Sequence, residues 1–86
     1  MVNYDDLNTM LSIATNNEIR DIKDYDLDLT QIGLDSIYTV SLLVLLEEKY
    51  HIEFTDNDFL LDKFSTLNEI KSMVEKCLKN IDKYTD

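Results

Sequence analysis

Gly33-Leu34-Asp35-Ser36-Ile37-Tyr38-Thr39-Val40-Ser41-Leu42-Leu43-Val44-Leu45-Leu46-Glu47-Glu48-Lys49-Tyr50 decides how the rest of the chain is read. Gly33 is the only glycine among 86 residues, and there is no proline. A chain this poor in breakers accommodates long helices, so its one glycine marks a corner that needs backbone freedom. The spacing after it predicts a helix from about Ser36 to Tyr50, capped by Asp35 or Ser36. Thr39, Leu42, Leu43, Leu46 and Tyr50 fall on one side and are expected in the core. Ile37, Val40, Val44 and Leu45 extend the apolar surface round the cylinder. Such a helix is either central to the fold or offers part of itself to a partner.

Upstream, Tyr4, Leu7, Leu11 and Ala14 recur at helical spacing over about residues 4–15. Asn3 is a candidate N-cap, Asp5 and Asp6 suit the positive end of the helix dipole, and Asn16 and Asn17 form a stop. Residues 18–34 hold no clean period. Ile19, Ile22, Leu27, Leu29, Ile32 and Leu34 predict an irregular loop pinned to the core by apolar anchors. Downstream, the capping box Thr55-Asp56-Asn57-Asp58 predicts a short third helix through Phe59-Leu60-Leu61. A second box, Thr66-Leu67-Asn68-Glu69, opens a fourth. Leu67, Ile70, Val74, Cys77, Leu78 and Ile81 carry that helix to about Ile81, and residues 82–86 are expected to fray. The expected fold is all-α: four helices in a single domain over residues 1–86, with a long first loop and a short third helix.

The composition narrows the function. A domain of this length buries roughly 60–65% of its unfolded surface, enough for one small core but not for a deep cleft. Eighteen acidic residues against eight basic ones give a formal net charge of −10. That charge repels nucleic acid and favours basic protein partners. One cysteine suits a reducing cytoplasm. The start of the chain does not read as a signal peptide, and no apolar run is long enough for a membrane span.

Several candidate sites carry little weight. Asp24, Asp26 and Asp28 alternate like the opening of a calcium-binding loop, the main competing reading from another class. Leu29 stands where such a loop needs glycine, and Asp35 where it needs a bidentate glutamate. His51, the only histidine, has no evident metal partners. No nucleophile–base arrangement appears, so no catalytic residue and no metal ligand is expected. Cys77 reads as a small core hydrophobe.

The Gly33-Leu34-Asp35-Ser36-Ile37 corner resembles the attachment motif of acyl and peptidyl carrier proteins. The resemblance extends over essentially the whole helical layout and implies 4'-phosphopantetheine on Ser36, derived from coenzyme A. In the family the acidic residue at the Asp35 position helps the modifying enzyme recognise the site. Acyl groups then ride on the arm as thioesters. The implied partners are a phosphopantetheinyl transferase, an acyl- or aminoacyl-adenylating ligase, and downstream transferases or synthases, acting on a monomer. Ile37, Val40, Val44, Glu47 and Glu48 are the expected docking residues. A serine at a helix start suits this role, because free N–H groups and the dipole favour a phosphate there. Fatty-acid carriers continue the motif with acids where this chain has Tyr38 and Ser41. The segment Asp58 to Thr66 is also longer than its fatty-acid counterpart. Both features resemble discrete carriers of nonribosomal peptide pathways and D-alanyl carriers.

Overall fold

In a computed structural model of the chain, the structure describes residues 2–54 and 64–85. Among the described residues there are three α-helices, α1 (Tyr4–Ala14), α2 (Ser36–Tyr50) and α3 (Leu67–Thr85), and a loop with a 3-10 turn, Leu29–Ile32, joins α1 to α2. The capping box at Thr55 and the short helix expected after it lie outside the described residues. Among the described residues, no helix is long and apolar enough to cross a membrane.

Local chemistry sets each boundary. Asn3 caps α1, its side chain accepting the Asp6 N–H at 2.8 Å. Asn16 and Asn17 end it with φ of 55° and 67°, in the left-handed region that asparagine tolerates. Asp35, rather than Ser36, is the cap of α2. His51 closes that helix with φ 55°, its N–H donating to the Glu47 carbonyl. Thr66 Oγ1 accepts the Glu69 N–H at 3.1 Å, as its capping box predicts, while the Glu69 carboxylate accepts the Ser65 hydroxyl. α3 continues to Thr85, past its expected end at Ile81. Neither glycine nor proline interrupts residues 82–85, so nothing local stops the helix.

The core lies where α1 and α3 pack on α2. Leu7, Met10, Leu11 and Ala14 of α1 are buried, with Leu42, Leu43 and Leu46 of α2 and Leu67, Ile70 and Val74 of α3. Phe64 and Phe54 close one side edge to face, with ring centroids 5.5 Å apart. Cys77 is half-buried against this core. So are Tyr38 and Leu45, the latter expected on the open part of the α2 cylinder.

The long loop is held at both ends. Ile19, Leu29 and Leu34 are buried as expected, Ile22 and Leu27 are half-buried, and Ile32 is exposed. The Asn8 amide grips the loop backbone twice: Oδ1 accepts the Ile22 N–H at 2.7 Å and Nδ2 donates to the Ile22 carbonyl at 3.0 Å. Thr15, fully buried, accepts the Ile19 N–H at 3.0 Å through its hydroxyl. On the α3 side, Leu29 N–H donates to the Ser65 carbonyl at 2.7 Å and Asn68 N–H to the Tyr25 carbonyl at 3.0 Å. The Asn68 side chain adds bonds to Asp26 and to the Tyr4 hydroxyl, and the Tyr4 and Tyr25 rings stack 3.6 Å apart. Asn8→Ala would leave the part-buried Ile22 amide without its partner. It is expected to cost about 1–3 kcal/mol, read as a lower urea midpoint at unchanged m-value.

Candidate functional site: the Gly33–Ser36 corner

The corner is built from both directions. Asp28 starts the 3-10 turn by accepting the Thr30 N–H at 3.0 Å and the Thr30 hydroxyl at 2.6 Å. Those bonds, the side-chain one foremost, hold the Asp28 carboxyl below its ordinary pKa. Gly33 then reverses the chain at φ 114°. Leu34 is buried, its N–H donating to the Leu29 carbonyl at 3.0 Å, which clamps the turn shut. Asp35 follows in extended conformation, and Ser36 begins α2 as an exposed residue.

Gly33 is required for its conformation and not for space. A Cβ at this position would meet nothing within 4 Å. Gly33→Ala is therefore expected to cost only the left-handed backbone term, about 1–2 kcal/mol, with no clash. A thermal melt checks this: loss of folding altogether would mean that the open space is illusory.

The helix start offers an anion a place. Asp35 Oδ1 accepts the Tyr38 N–H at 2.8 Å, and the Asp35 carbonyl takes the Thr39 N–H and hydroxyl at 2.9 and 2.8 Å. The Ser36 and Ile37 N–H groups, at the first two positions, have no acceptor within the helix. They and the dipole's positive end stand beside the Ser36 hydroxyl. A phosphate ester on that oxygen fits this arrangement: the serine is exposed, donors are at hand, and the adjoining turn is unobstructed. Nearby Glu18, foremost as a hydrogen-bond acceptor, holds the Tyr38 phenol above its ordinary pKa.

The expected docking residues take different places. Ile37, Val40 and Val44 are exposed at 73, 53 and 44%. They lie on one side of α2, away from buried Leu42, Leu43 and Leu46. Glu48 is exposed, whereas the Glu47 carboxylate accepts the Phe54 N–H at 3.0 Å and so also stiffens the end of the helix. The three loop aspartates do not converge. Asp24 accepts the Asp26 N–H, Asp26 the Asn68 amide and Asp28 the Thr30 groups. Among the described residues, no three His, Cys, Asp or Glu side chains stand close enough together to hold a metal. His51 is exposed at its helix end.

One apolar residue at the corner departs from its expected place. Ile32 was expected as an anchor but is 44% exposed. Leu29 and Leu34 already anchor the turn from either side of it, so the end of the turn is left facing solvent.

No curated protein and no solved structure matches the chain. A family model described as the phosphopantetheine attachment site matches residues 7–74, which include the whole corner and all of α2. Domains of this family bear 4'-phosphopantetheine as a covalent group and carry substrates for other enzymes instead of transforming them. A serine exposed at a glycine-turned helix start, within a matched span that covers most of the chain, places this protein in the phosphopantetheine attachment family.

Proposed function

We propose that the chain is a single carrier domain, modified on Ser36, that takes an amino acid or aryl acid from an ATP-dependent adenylating ligase. The observation that carries this reading is the exposed Ser36 hydroxyl at the first position of α2, beside N–H groups with no acceptor in the helix. In the modification, Ser36 Oγ bonds to the phosphopantetheine phosphorus of coenzyme A. The pyrophosphate link breaks, adenosine 3',5'-bisphosphate leaves, and the serine proton passes to a base on the transferase. The bound group supplies a terminal thiol on a long arm, where acyl cargo is held as a thioester.

Gly33 and Asp35 shape the corner, while Ile37, Val40, Val44, Glu47 and Glu48 face the partner enzymes. The single cysteine suits a reducing, cytoplasmic setting. The nonribosomal-peptide type of load rests on charge. Tyr38 and Ser41 occupy positions where fatty-acid carriers present acids, and each missing charge weakens long-range attraction to a basic fatty-acid enzyme. Tyr38 and Leu45 are half-buried, so they add less contact surface than their sequence positions suggest. A fatty-acid, polyketide or D-alanyl load is the alternative.

Peptide mapping after incubation with coenzyme A, Mg²⁺ and a broad-specificity transferase is expected to place one added group on Ser36. Addition at Ser41 or another serine would refute the site. The modified protein should then accept an amino or aryl acid from an adenylating ligase and be a poor acceptor in malonyl transfer. Efficient malonylation with no ligase-dependent loading would assign it to the fatty-acid or polyketide class.

A further inference from the structure

Beyond the α2 stripe, exposed apolar surface recurs at Ile32, on a different element and on the other side of Ser36 in the chain. Ile32 is 44% exposed four residues before the serine, and Ile37 is 73% exposed directly after it. Between them Gly33 leaves open space, and Asp35 is exposed. The turn that displays Ile32 is rigid. It is capped by Asp28, clamped by the Leu34–Leu29 bond and tied to Ser65 through Leu29. Backbone held in this way needs no further ordering when a partner covers it, which favours its use as a contact.

Charge selects the partner. Residues 24–48 contain six acids, Asp24, Asp26, Asp28, Asp35, Glu47 and Glu48, and no lysine or arginine. A second copy of this chain would bring the same acids, and another net charge of −10, against them. A partner with an apolar centre and a rim of lysine or arginine meets both features.

We infer that Ile32 is a contact residue for the enzyme that modifies Ser36, forming with Ile37 and Val40 an apolar contact that straddles the serine and fits a transferase surface rimmed by basic side chains. The inference rests on Ser36 being the attachment site and adds a contact outside α2.

The test uses the unmodified protein as substrate for a broad-specificity phosphopantetheinyl transferase with coenzyme A. Ile32→Asp and Ile32→Ser should each raise the KM for the carrier about tenfold and leave kcat within about twofold, the signature of lost binding. Ile13→Asp, altering the 60%-exposed isoleucine of α1, should leave both constants unchanged. Raising salt from 50 to 500 mM should raise the wild-type KM severalfold. Thermal melts establish that the variants are folded, and Ile32→Thr replaces any that is not. Wild-type KM in folded Ile32 variants would overturn the inference, as would equal loss in Ile13→Asp, and a salt-independent KM would overturn the basic rim. If the wild type is not modified at all, it is the Ser36 assignment that fails.

Discussion

Leu43→Ala is expected to remove about 2–5 kcal/mol of stability, whereas Val40→Asp, one turn earlier on the same helix, should melt within about 0.5 kcal/mol of wild type. Leu43 is fully buried between α2 and its neighbours, and truncating it leaves a cavity in addition to the lost transfer energy. A domain of this size is stable by about 5–15 kcal/mol at most, so the loss is a large share. It corresponds to a drop in Tm on the order of 10–30 °C. Val40 is 53% exposed, so aspartate there finds water. Val40 is preferred to Val44 for this test. An aspartate at 44 would sit three and four residues from Glu47 and Glu48 and add like-charge repulsion of about 0.2–0.5 kcal/mol. The functional readout should invert the order: Val40→Asp should slow modification and loading far more than it lowers the melting temperature. Equal loss of both in Val40→Asp would make it a core residue and remove the α2 stripe from the docking surface.

The contrast within α2 also shows what the sequence makes legible. Its helical character, its boundaries and its two faces follow from spacing alone, because burial of Leu42, Leu43 and Leu46 against α1 and α3 needs only the 3.6-residue period. The caps are equally readable at Asn3 and Thr66, where a side-chain oxygen meets the N–H three residues on. What period cannot give is the path of a segment without one. The loop owes its course to Asn8, Thr15 and Asn68, polar side chains that hydrogen-bond backbone or side chains far along the chain. Nothing in their local sequence distinguishes them from ordinary polar helix residues. Ile32 was misplaced for the same reason, since apolarity suggested an anchor and only the turn geometry leaves it outside. Leu45 goes the other way, half-buried against the core beside the face that Leu42 and Leu46 bury.

At the corner, the glycine turn, the acidic cap and the exposed serine follow from the sequence, because a left-handed turn favours Gly33 and a helix start favours an Asp cap; that Ser36 bears the group is the proposal. The load does not follow from the sequence, since Tyr38 and Ser41 bear on partner choice only through charges they lack.

Intact mass of the wild type and of Ser36→Ala, after the same incubation with coenzyme A, Mg²⁺ and a broad-specificity transferase, tests the central claim most directly. Ser36 is exposed, and Asp35 rather than Ser36 caps the helix, so alanine should cost well under 1 kcal/mol and both proteins should melt alike. The wild type is expected to gain the mass of one phosphopantetheine and the folded alanine variant none. A wild type left unchanged by several transferases, or a Ser36→Ala variant that still gains the group, would contradict the assignment.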